Sequence, residues 1–119
     1  MAAAPSSRIV HLGARGAEPI AVDGARGVTG LPLLDLSEGT GGFDFRAVAI
    51  APGGVSADHS HPWEQANYVL RGRGRVWLGE DVHEVGPDDF VYVAPDVRHV
   101  FENAGDEELV LLAARGARA

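Results

Sequence analysis

The sequence predicts a small all-β domain, a sandwich or a barrel, on three observations. Strand-sized apolar runs follow one another at short, regular spacing along the chain. Turn-forming segments separate them, supplied by 16 glycines and 7 prolines. No segment sustains a helical period, so alternating βα units are not expected.

In chain order, residues 1–18 are small, polar and rich in Gly, Ala and Arg, and read as a flexible N-terminal segment. The β-like runs then begin with "PIAVD" and "LPLLDL", closed by the turn "EGTGG". "FDFRAVAIA" follows and ends in "APGG". Next come "ANYVLRG", the glycine-rich "GRG", "RVWLG", "GED" and "DVHEV". "VGPDD" and "APD" bracket "DFVYVA", and "NAGDEE" leads into "ELVLLAA". "ELVLLAARGARA" has room for a closing helical turn, which Gly116 keeps short. The expected domain spans 19–114, with 115–119 as a C-terminal tail. No internal repeat is present, and the 119 residues suit one core only.

Composition narrows the function. A net charge of −7 argues against nucleic acid or an anionic membrane surface as partner. With no cysteine, disulfides and thiolate metal sites are excluded, so any metal is held by nitrogen and oxygen. The start "MAAAPSSRIVHLG" lacks a basic region followed by an apolar run, and no stretch approaches the roughly 20 apolar residues of a membrane span. The expectation is a soluble cytoplasmic protein.

"HSHPWEQ", residues 59–65, combines two histidines, an indole, a carboxylate and an amide. His59 and His61 are read near the start of a strand, where side chains two apart share a face. His99 follows the "DFVYVAPD" run about forty residues later, a separation that antiparallel folding can close. A bare His-x-His pair is a weak signal, because two exposed polar residues on a half-buried strand look the same. The "APGG" turn ahead, the "WEQ" run behind and the downstream Pro-turn-His element strengthen it.

With these motifs the chain resembles the cupin superfamily. Gly53, His59, His61 and Gly72 fit the first cupin motif, and His99 and Asn103 fit the second, with Pro95 in its turn. The second motif's opening and turn glycines fall at Asp88 and Asp96, where this chain departs from the pattern. The chain is most similar to small single-domain cupins carrying "HxHPWEH", from about Gly24 to Ala113. That resemblance implies a double-stranded β-helix, a jelly-roll barrel with a ligand-binding mouth, and a homodimer.

The fourth ligand is a choice between Glu64 and Gln65. His59, His61 and Gln65 share strand parity and Glu64 does not, although a bulge at Pro62 would reset it. In similar small cupins the ligand position corresponds to Gln65. The expected metal set is therefore His59, His61, Gln65 and His99, around one divalent transition ion, with Mn, Fe, Ni, Zn and Cu all compatible. Glu64 is expected to face out or to brace a ligand.

The resemblance further implies a metal-dependent enzyme acting on a small oxygenated or carboxylated molecule. Dioxygenation, isomerisation, hydration and cyclisation all occur among similar cupins, with dioxygenase-like chemistry taken first. A non-catalytic sensor or binding module is the alternative. By the resemblance, Arg46 faces the metal cavity and holds an anionic substrate; a surface ion pair is the competing reading. Asn67 shares parity with Gln65, within reach of a ligand or substrate, and Phe101 shares parity with His99 and walls the cavity. Leu111 and Ala113 line the far wall by the same resemblance. Trp63 and Tyr92 either border the pocket or pack the two sheets, with core packing taken first, and His11 and His83 are expected in solvent. "LRGRGRVW" mimics an RNA-binding tract, but in an acidic chain it reads as a hairpin end.

Overall fold

Among the described residues nine strands, every pairing antiparallel, build a curled sheet closed over one core. The computed structural model describes residues 5–12 and 17–117; expectations for 1–4, 13–16 and 118–119 lie outside the described residues. The strands are β1 Glu18–Pro19, β2 Arg26–Leu34, β3 Phe43–Val55, β4 Gln65–Arg71, β5 Gly74–Leu78, β6 Asp81–Val85, β7 Phe90–Val93, β8 His99–Asn103 and β9 Leu109–Gly116. Their spatial order is β6-β5-β8-β3-β9-β4-β7, with β2 on β3 and β1 on β2. The all-β jelly-roll expectation holds.

β3 joins the two layers. Its first part pairs with β2 and β9, and its end turns to pair Val55 with Glu102 of β8. Gly53 takes a positive φ of 79° in that turn. The core closes between the layers, with Val76 of β5, Val85 of β6 and Phe101 of β8 facing Val48, Ile50, Val69, Leu109 and Leu111.

Register divides the barrel interior into a polar end and an apolar end. One rung pairs Val93, Gln65, Arg115 and Asp44 across β7, β4, β9 and β3. The next pairs Val91, Asn67, Ala113 and Arg46. The rung after that is apolar: Val69, Leu111 and Val48. Because side chains alternate faces, inward positions two apart carry this gradient along each strand. Polar groups thus collect where the "HSHPWEQ" segment enters.

Several local expectations change. "PIAVD" gives strand only at Pro19; Ile20, Val22 and Ala25 instead line the cavity described below. His99–Asn103 forms β8, a strand absent from the expected runs. "ELVLLAARGARA" is strand from Leu109 through Gly116, two residues beyond the expected boundary at 114, and its described residues form no helical turn. "LRGRGRVW" is no hairpin end. β4 pairs with β7 and β9 while β5 pairs with β6 and β8, so the segment is the crossing between layers. Gly72 makes that corner at φ 86°, where a Cβ would collide with the Glu108 carbonyl oxygen. Arg71 and Arg75 there pair with Glu108 and Glu102. A short 3-10 turn, Leu36–Glu38, is capped reciprocally by Asp35 and Glu38.

Candidate metal centre

His59, His61 and His99 each present a ring nitrogen within 4.8 Å of the others. Their ring centroids lie 4.7–5.2 Å apart. His59 and His61 sit on the irregular segment between β3 and β4, not inside a strand as expected; β4 starts only at Gln65. An isolated antiparallel bridge couples that segment to β8, the His99 amide donating to the His59 carbonyl at 2.9 Å. Two candidate ligands are thereby held by backbone.

Hydrogen bonds fix which nitrogen faces the cluster. His61 Nδ1 lies 2.8 Å from the Trp63 carbonyl and His99 Nδ1 lies 2.9 Å from the Val97 carbonyl. A carbonyl only accepts, so both Nδ1 atoms carry the proton and both neutral rings turn an Nε2 lone pair inward. His99 Nε2 is buried and meets no hydrogen-bond partner. Such an orphaned acceptor costs about 1–3 kcal/mol unless something electropositive meets it. The indole of Trp63 also stacks on His61, centroids 4.5 Å apart and planes within 6°. Trp63 therefore holds a histidine and is not the core filler expected.

Gln65 is buried at the same point, its Oε1 3.3 Å from His61 Nε2. Its Nε2 donates to Asn67 Oδ1 at 2.8 Å, and Asn67 Nδ2 donates to the Val91 carbonyl at 3.2 Å. Glu64 is exposed and accepts from the Tyr92 hydroxyl at 2.8 Å. Tyr92, 51% exposed, likewise lies outside the core where it was expected. Three imidazole nitrogens and an amide oxygen fit a divalent transition ion of the imidazole/oxygen type. His59, His61 and His99 could hold such an ion, and the Gln65 amide oxygen lies beside them.

The cluster closes one end of a cavity of about 140 Å³. Arg46, Asn67, Phe101, Leu111 and Ala113, all expected near the site, line it together. Arg115 lines it too, a residue the sequence placed in the tail, and is held bidentately by buried Asp44 at 2.8 and 2.9 Å. Its inward position continues the parity of Leu109, Leu111 and Ala113, which was the available signal. Asn103 serves structure instead, donating to the Ile50 and Glu107 carbonyls. His11 and His83 are exposed.

Electrostatics disfavour protonation of His59 and His99. Although His59 is partly exposed, desolvation first, then the charges of His99, His61, Arg46 and Arg115, hold it below its ordinary value of 6.5. Burial also holds His99 low, against the Val97 hydrogen bond and the Asp58 charge. Asp58 itself is kept low by bidentate Arg98 at 2.7 Å. No helix among the described residues is long and apolar enough to cross a membrane.

Known proteins resemble this chain in sequence and fold. Polyketide synthase CurC of Streptomyces cyaneus is 37% identical over 70 residues, 58% of this chain and 45% of that protein. An uncharacterized protein of Methanocaldococcus jannaschii is 37% identical over 68 residues, 56% of this chain and 54% of its own length. The chain thus spans about half the length of these curated relatives. Among solved structures, the polyketide cyclase RemF from Streptomyces resistomycificus superposes with a TM-score of 0.87 at 25% identity, over 95% of this chain and 81% of that one. A predicted oxalate decarboxylase from Thermotoga maritima shares the fold at a TM-score of 0.88 and 22% identity, over 93% and 100% of the two chains. The cupin-domain family model matches residues 46–115, more than half of the sequence, and the chain belongs to the cupin family.

Proposed function

We propose that the protein is a mononuclear metal-dependent cyclase or isomerase acting on a small enolisable 1,3-dicarbonyl compound of the polyketide type. The observation that carries it is the set of unprotonated acceptors, His61 Nε2, His99 Nε2 and Gln65 Oε1, meeting at the end of a largely apolar cavity. Likeness to CurC and to RemF supplies the substrate class. A bound divalent ion supplies Lewis acidity toward a chelating pair of oxygens. All four protein donors are neutral, so the ligand set leaves the charge of such an ion available to an anionic enolate.

The chain's own residues orient the substrate. Phe101, Leu111 and Val48 exclude water from its carbon skeleton, and Arg46 and Arg115 place positive charge beside His59. Arg115 is paired with Asp44, and Arg46 lines the same cavity, so the two guanidinium groups together offer positive charge to a carboxylate or enolate oxygen. Deuterium exchange at the α-carbon of a 1-aryl-1,3-diketone, followed by proton NMR with Zn(II)-loaded protein, tests this reading. Exchange that is faster than with His99→Ala and indifferent to dioxygen supports it. Dioxygen consumption matched to substrate loss would instead assign the dioxygenase chemistry that the sequence alone put first.

A further inference from the structure

We infer that Asn67 is a positioning residue that locks the side-chain amide of Gln65 with its oxygen toward the metal ligands, and so commits the centre to a neutral amide donor. This rests on the metal-site reading above and goes beyond it, because it concerns how the fourth donor is selected. A hydrogen-bonded chain of side-chain amides begins at Val91. The Val91 carbonyl can only accept, and Asn67 Nδ2 donates to it at 3.2 Å. That bond fixes the Asn67 amide, leaving Oδ1 to face Gln65.

An amide oxygen also only accepts. Gln65 Nε2 must therefore be the atom 2.8 Å away, and Gln65 Oε1 is turned to His61. There it meets Nε2, whose lone pair is set in turn by the bond from Nδ1 to the Trp63 carbonyl. Two directional chains, one starting at Val91 and the other at Trp63, thus converge on a pair of acceptors 3.3 Å apart with no proton between them. A cation placed between them is the partner both lone pairs lack.

Burial makes the lock firm. Asn67 is 1% exposed and Gln65 8%, so water does not compete for either amide. Turning the Gln65 amide over would set its NH2 against the metal and its oxygen against Asn67 Oδ1, losing a donor–acceptor pair at both ends. The same chain opposes a carboxylate at position 65. A glutamate oxygen would face Asn67 Oδ1, and turning Asn67 to donate to it would oppose two acceptors at Val91. Adjacent register puts the device in place, since Asn67 pairs with Val91 while Gln65 pairs with Val93 one inward position away.

Co(II) titrations followed by visible ligand-field absorption, together with thermal unfolding of the metal-free proteins, test the lock. Asn67→Leu removes it and should weaken Co(II) binding about 10- to 100-fold and shift the spectrum. Asn67→Asp loses the Val91 bond but still accepts from Gln65 Nε2, so it should unfold at lower temperature yet keep the wild-type spectrum and an affinity within about threefold. If Asn67→Leu does not fold, Asn67→Ser, too short to bridge, takes its place with the same expectation. Affinity and spectrum unchanged in both the Leu and Ser variants, or lost equally in Asn67→Asp, would overturn the lock. The separate failure of the metal site has its own signature: wild type binding Co(II) no better than a His59→Ala, His99→Ala double variant.

Discussion

Gln65 Oε1 lies 3.3 Å from His61 Nε2, and neither atom has a hydrogen to give the other. Glu64, the neighbouring carboxylate, is tied instead to Tyr92 on the outside. Gln65→Ala should therefore weaken metal binding about tenfold or more, while Glu64→Ala should leave it nearly unchanged. Calorimetric titration with Zn(II) reads both. A greater loss for Glu64→Ala would reverse the ligand assignment.

Trp63 holds His61 twice, through its carbonyl at 2.8 Å and through its stacked indole. Trp63→Ala removes the stacking and keeps the carbonyl bond. Zn(II) affinity should fall roughly tenfold, because such outer groups orient the ligand ring. Equal affinity would show that the indole merely covers the site.

The low pKa values of His59 and His99 carry a sign. Their unfolded forms take up protons near 6.5, while burial and mutual repulsion delay this in the fold. Below that pH the unfolded state therefore binds more protons, and stability falls as pH drops. Urea midpoints of the metal-free protein should hold above pH 6.5 and decline below it, and the decline should be shallower in His99→Leu. A midpoint rising on acidification would contradict the shifts.

Asp88 and Asp96 adopt φ of 73° and 66°, the left-handed region. These are the two positions where the family pattern carries glycine, so the backbone turns persist although the residue type differs. Aspartate tolerates this region better than most side chains. Asp96→Val should cost about 1–2 kcal/mol, and Asp96→Gly should leave stability within about 0.5 kcal/mol. Similar unfolding temperatures for Val and Gly would remove the conformational argument.

Much of this architecture was legible in the sequence where alternation was clean. Gln65, Asn67 and Val69 face inward in β4, as do Leu109, Leu111 and Ala113 in β9. Parity also set Glu64 apart from Gln65, yet by an imperfect route, since His59 and His61 lie outside any strand. Backbone bridging between His59 and His99 supplies what strand periodicity did not, and no local pattern encodes such a long-range contact. β8 was missed because four of its five residues are buried, which erases alternation. Arg115 was missed because a Gly/Ala/Arg composition resembles a frayed end, although partnership with buried Asp44 makes it part of the barrel wall.

The proposed chemistry requires one ion held by His59, His61, His99 and Gln65. Elemental analysis of the purified protein, repeated on His59→Ala and His99→Ala, tests it most directly. About one transition metal per chain is expected in the wild type, with content falling severalfold in each variant while the strand circular-dichroism signal persists. Metal content unchanged in both variants would contradict the account.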